Sequence, residues 1–197
     1  MIPDRAIAFL DYAFQLALLA VLAGILTAAL VLQFGAGELP CPLCLLERLC
    51  MFGVAFGVIL NLRAGFSDRN TGIALTFALL LLVIAVRQTL LDIYPRPGHA
   101  YVGSAVLGLH MPVWSVLIAT AVLAAYALKL AVLGGDSHRL DHPPASFAWV
   151  RPLGLALSVA LLGLCAVNLG AVVLQCGLAE CHTEGYRLLG GPIPAGG

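Results

Sequence analysis

A chain of 197 residues that is 61% apolar and only 10% charged is not a water-soluble globular domain, because such domains carry about 25% charged residues. Its formal net charge is zero, with a single lysine, Lys129, among ten basic residues. That excludes an electrostatic footprint for nucleic acid or a strongly acidic partner. The mean hydropathy of +1.02 places most of the chain in lipid.

Five apolar segments follow one another, at 12–34, 42–62, 72–93, 112–134 and 149–175. Each is long enough to cross a bilayer, which takes about 20 residues. Backbone groups in lipid must pair internally, so unbroken apolar runs are predicted as helices; the alternation of a membrane barrel is missing. The first segment exceeds the apolar core of a secretory signal and is followed by more spans, so it reads as retained. Residues 63–71 form a short loop with Arg63, Asp68 and Arg69. Residues 94–111, with Pro95, Pro97, Gly98, Gly103 and Gly108, read as an irregular surface segment, with Tyr94, Tyr101 and Trp114 as interfacial aromatics. Residues 135–147 are the most polar stretch, holding His138, Arg139, Asp141 and His142 in a solvated loop. The terminal Gly-Gly-Pro-Ile-Pro-Ala-Gly-Gly reads as a disordered tail. The expected fold is an all-α integral membrane helical bundle.

Basic residues set the expected orientation. With the N-terminus in the cytoplasm, that side holds Arg5, Arg63, Arg69, Lys129, Arg139 and Arg151, against Arg48, Arg87, Arg96 and Arg187 outside. This is a mild positive-inside bias. It puts the C-terminus and Cys41, Cys44, Cys176 and Cys181 on the outer face, where disulfides persist.

Six cysteines divide into two kinds. Cys50 and Cys165 fall inside apolar spans and read as inert packing residues. Cys41 and Cys44 open the second span as Pro40-Cys41-Pro42-Leu43-Cys44-Leu45-Leu46-Glu47-Arg48. On a helix they lie about 60° apart in projection and can be bridged. Pro42 suits the first helical position, and the positive helix end favours a thiolate there. Arg48, one turn beyond Cys44, would stabilise that thiolate or an anionic carrier beside it. A structural disulfide pinning a loop is the plainer alternative, but the adjoining Glu47-Arg48 favours electron transfer between a protein thiol and a lipid-soluble carrier.

Cys176 and Cys181 are five apart, which on a continuous helix would turn them about 140° from each other. They can bridge only if the helix stops, and Gly177 is a plausible stop. The pair is then an exchangeable disulfide facing a soluble partner, a static staple, or, with His182, part of a metal site lacking a usual fourth ligand. Arg87 and Gln88 lie about level with Arg48 and can line a polar pocket for a quinone head group, unless Arg87 merely snorkels to the interface. His110, before the fourth span, reads as a satisfied interfacial histidine.

The segment Cys41-Pro-Leu-Cys-Leu-Leu-Glu-Arg48 resembles the redox motif of the DsbB family, bacterial membrane enzymes that reoxidise the periplasmic dithiol oxidase DsbA. Leu107-Gly-Leu-His-Met-Pro-Val-Trp114 is similar to a second stretch of that family, and Thr89-Leu-Leu-Asp-Ile-Tyr-Pro95 more weakly to a third. The resemblance covers about residues 12–134. It implies a DsbB-like four-helix membrane domain at 1–134 holding ubiquinone or menaquinone near the outer surface. Residues 135–197 then add a cytoplasmic loop, a fifth transmembrane helix and an outer-face tail with a cysteine pair. By position, Cys41 and Cys44 would be the quinone-coupled pair, Cys44 nearest the ring, with Arg48 beside the quinone and Glu47, Arg87 and Gln88 around it.

One departure is plain. Family members of this type carry a second cysteine pair between the third and fourth spans, whereas residues 94–111 contain none. The expectation is that Cys176 and Cys181 replace it as the pair facing a DsbA-like thioredoxin-fold partner. The whole then reads as a thiol:quinone oxidoreductase of the bacterial inner membrane with no metal. A vitamin K epoxide reductase-like enzyme, a non-catalytic membrane protein with structural disulfides, and a metal-handling protein are the rivals.

Overall fold

The computed structural model describes residues 4–93, 105–133, 142–177, 181 and 185–190. Tyr94, Arg96, Tyr101, His138, Arg139, Asp141, His182 and the tail from Gly191 lie outside the described residues. The described residues hold five long helices: α1 (Asp4–Gly35), α2 (Pro42–Ala64), α3 (Asp68–Ile93), α4 (Met111–Leu133) and α5 (Val150–Cys176). All five are long and apolar enough to cross a membrane, and the described residues contain no strand. The first begins eight residues before the apolar segment at residue 12, carrying Asp4 and Asp11 into the helix.

α2 is the central helix. More than half of its span is buried, against a third or less of every other, and it packs on α1, α3 and α5. Two glycines on α2 let α3 come close. A Cβ on Gly53 would fall inside the Phe77 ring, and one on Gly57 would lie 2.7 Å from the backbone of Asn70 and Ala74. Small residues are what close helix packing in lipid requires, since lipid tails are as apolar as the side chains. Beyond the seam, Asn61 accepts a bond from the Ser67 N–H at 3.1 Å and donates to the Thr71 hydroxyl at 3.1 Å. This holds the α2–α3 turn without solvent.

The core runs through Leu19, Leu22 and Leu26 of α1, Val54 and Val58 of α2, and Leu81 of α3. Valines and leucines such as Val83, Leu128 and Leu162 point outward, as expected of surfaces facing lipid.

The alternating helices bring the end of α1, the start of α2, the end of α3, the start of α4 and the end of α5 to one face. At the opposite face, Lys129 of α4 pairs with Asp11 of α1 at 3.1 Å, both fully buried. Phe66, Tyr126 and Phe147 pack around that pair, and the Tyr12 hydroxyl donates to the His142 carbonyl at 3.1 Å.

Candidate redox site

Cys41 sits immediately before α2 in extended backbone, and its sulfur accepts the Cys44 N–H at 3.1 Å. It therefore caps the helix in the manner of a serine or aspartate, satisfying a donor that would otherwise be orphaned. Pro42 fills the first helical position, where its missing N–H costs nothing. The cap and the short spacing hold Cys41 and Cys44 together as a disulfide with Cα atoms 5.1 Å apart. The side-chain amide of Gln88 on α3 donates to both sulfurs, at 3.2 Å and 3.4 Å.

Beside this pair, α1, α2 and α4 enclose a cavity of about 350 Å³, within the range of small-molecule sites. Its wall is overwhelmingly apolar, supplied by residues such as Ile25, Leu32, Met51 and Ile118. Few polar groups converge on it, among them Cys44, Glu47, Arg48 and Ser115. Trp114 also lines it, and its indole N–H donates to the Val106 carbonyl at 2.9 Å. That bond fixes a tight turn in which Leu107 and Gly108 both have positive φ, 53° and 81°. Leu107, almost fully exposed, thereby stands at the cavity wall.

Glu47 is buried, and its Oε2 accepts the Ser115 hydroxyl at 2.7 Å. Arg48 donates from Nη1 to Gln33 Oε1 at 2.6 Å and Asn168 Oδ1 at 3.3 Å, and from Nη2 to the Ala29 carbonyl at 3.1 Å. Gln33 in turn donates to the Tyr186 hydroxyl at 3.2 Å. Two helices, α1 and α5, thus hold the guanidinium carried by α2, and every described acceptor on it is a neutral oxygen.

α5 ends at Cys176 because Gly177 turns the chain at φ 62°, its N–H returning to the Val173 carbonyl at 2.8 Å. The break brings Cys176 and Cys181 into a disulfide with Cα atoms 4.3 Å apart. Directly before it, the buried Gln175 donates to the Pro40 carbonyl at 2.9 Å, so the two cysteine pairs occupy neighbouring positions on the same face. Cys50 is buried and free, and Cys165 is free and half-buried.

The residues singled out from sequence are distributed as follows. Cys44, Glu47 and Arg48 share the cavity wall, while Gln88 lies on the sulfurs. Arg87, its neighbour, is exposed and absent from the cavity wall. Among the described residues no group of three or more His, Cys, Asp or Glu can hold a metal ion. Sequence reasoning missed Gln33, Ser115, Asn168, Gln175 and Tyr186. The available signal was their polarity: four of them are polar residues inside apolar helices, which are functional candidates by default. Asn168 and Gln175, seven apart, also share a face of α5.

The Disulfide bond formation protein B of Aromatoleum aromaticum is 34% identical over 95 residues, covering 46% of this chain. The chain spans 57% of that relative's length. No solved structure matches the chain significantly. Residues 12–100, a segment that includes Cys41, Cys44, Arg48 and Gln88, match the family described as Disulfide bond formation protein DsbB.

Proposed function

We propose that this protein is a membrane thiol:quinone oxidoreductase that reoxidises a DsbA-like periplasmic dithiol protein and passes the electrons to a membrane quinone. The observation that carries the reading is the shared wall: Cys44, one sulfur of an N-capping disulfide, lines an apolar cavity whose polar groups include Glu47 and Arg48. Such walls fit an apolar ring with polar oxygens, and Arg48 and Glu47 would hold those oxygens. When bound, the quinone supplies a two-electron, two-proton acceptor. Two thiols of the partner lose two electrons and two protons as they join in a disulfide, so the exchange balances.

The chain's own part is thiol chemistry and positioning. A partner thiolate attacks Cys176–Cys181, a mixed disulfide forms, and the second partner thiol resolves it, leaving the C-terminal pair reduced. That pair then reduces Cys41–Cys44 by the same exchange, a step supported by the bond from Gln175 to Pro40 that sets the pairs side by side. Gln88 holds both sulfurs of the inner pair, and apolar side chains line the cavity beside Cys44. In this reading the face carrying the cysteines is periplasmic, the N-terminus is cytoplasmic, the membrane is the bacterial inner membrane, and residues 135–197 are an addition to a four-helix core.

The test is turnover of a short-chain ubiquinone analogue with a reduced DsbA-like partner, comparing wild type, Cys44→Ser and Cys181→Ser. Loss in both variants supports the relay. Loss in Cys44→Ser alone keeps the enzyme and makes Cys176–Cys181 a staple. A folded wild type that never turns over leaves a membrane protein with two structural disulfides.

A further inference from the structure

Arg48, half-buried, is held in an unusual way for a cation inside a bundle. A buried guanidinium normally meets a carboxylate, yet its described acceptors are Gln33, Asn168 and the Ala29 carbonyl, all uncharged. Neutral acceptors fix the direction of the guanidinium and leave its charge uncancelled. Two of the network's members, Asn168 and Tyr186, lie beyond the family-matched residues 12–100 and belong to α5 and the segment after it. Tyr186 follows Cys181 by five residues and reaches Gln33, which is itself fully buried. The fifth helix therefore does more than deliver a cysteine pair.

We propose that Gln33, Asn168 and Tyr186 are positioning residues that aim Arg48 at the cavity, so that α5 acts through Arg48 on the quinone-binding wall built by α1, α2 and α4. This rests on the proposed function, because it takes the cavity's occupant to be a quinone. The ligand class it specifies is one with a polar oxygen that accepts from a guanidinium while its ring lies against apolar side chains. Tyr186 holds Gln33, and Gln33 and Asn168 both accept from Arg48 Nη1. A hydrogen bond to a charged group is worth about tenfold or more in an equilibrium constant, so removing the 2.6 Å acceptor moves binding measurably.

The experiment is a fluorescence titration of the full-length protein in detergent with a short-chain ubiquinone analogue. Trp114 lines the cavity and reports occupancy, while Trp149, packed on Phe9, supplies a constant background. Gln33→Met keeps the length and the apolar packing but removes the acceptor. Gln33→Glu keeps an acceptor at the same place but sets a carboxylate on the guanidinium and cancels its charge. A positioning role that leaves this charge for the ligand gives about tenfold weaker binding for Gln33→Met, weaker binding for Gln33→Glu as well, and about threefold weaker binding for Tyr186→Phe. A packing role gives wild-type binding for Gln33→Met, since methionine is the easier residue to bury in lipid. Binding unchanged in both Gln33→Met and Tyr186→Phe, or unchanged in Gln33→Glu, overturns the proposal. Tyr186→Phe changes one half-exposed hydroxyl and keeps the test available should a Gln33 variant fail to fold. If wild type itself does not bind the analogue, it is the quinone reading that fails.

Discussion

Two cations stand inside opposite ends of this bundle, Lys129 buried and Arg48 half-buried, and their surroundings differ in kind. Lys129 meets the Asp11 carboxylate at 3.1 Å, with Phe66 and Tyr126 rings around it. Arg48 meets only neutral oxygens among its described partners and lines a cavity with Cys44. The first arrangement cancels its charge where it stands and ties α1 to α4. The second leaves a charge directed at whatever enters the cavity. A charged residue inside a membrane span is thus informative chiefly through its partners: a counter-ion marks a strut, and neutral acceptors mark a site.

The comparison is broken most forcefully at the strut. Lys129→Met alone leaves Asp11 uncompensated and is expected to cost about 3–5 kcal/mol of stability. The double variant Asp11→Leu/Lys129→Met is expected to recover most of that, because a well-packed apolar pair often replaces a buried ion pair at little cost. Thermal unfolding in detergent reads both. Affinity for the ubiquinone analogue should be unchanged in the double variant, and a loss there would show that the two ends are not independent.

At the other end the expectation inverts. Arg48→Met should fold like wild type yet bind the analogue about tenfold to a hundredfold more weakly, as expected for losing a charge-assisted hydrogen bond. Titration of Trp114 fluorescence beside a melting curve separates the two effects. Gln88→Leu is a smaller change. It removes the amide donating to both sulfurs and should slow thiol exchange at Cys41–Cys44 by about threefold to tenfold, leaving quinone affinity alone. Gly57→Ala on α2 is expected to act on stability alone. The added methyl meets the α3 backbone at 2.7 Å, and overpacking of this kind costs about 1–3 kcal/mol while leaving the chemistry intact.

The five helices were legible in the sequence because length and hydropathy alone specify a membrane span, and the observed elements differ mainly at their ends. α1 starts early because the ion pair to Lys129 lets Asp11 enter lipid, a tertiary effect no window of hydropathy contains. Cys44, Glu47 and Arg48 could be singled out because helical spacing places them within one turn of each other. Arg87 and Gln88 were indistinguishable by level along α3, and only helix rotation separates the exposed arginine from the glutamine on the sulfurs. Gln33, Ser115, Asn168 and Tyr186 reach the site from four other segments, 15 to 138 residues from Arg48. Their polarity was visible, but their convergence depends on how α1, α4 and α5 pack against α2.

The central claim is that electrons leave Cys41 and Cys44 for a quinone. Its most direct test is a single-turnover mixing of the fully reduced Cys176→Ser/Cys181→Ser protein with excess ubiquinone analogue, without air. The account expects one quinone reduced for each Cys41–Cys44 disulfide formed, both followed in the same sample. Thiols that stay reduced while the quinone is untouched, in a protein that remains folded, would contradict it.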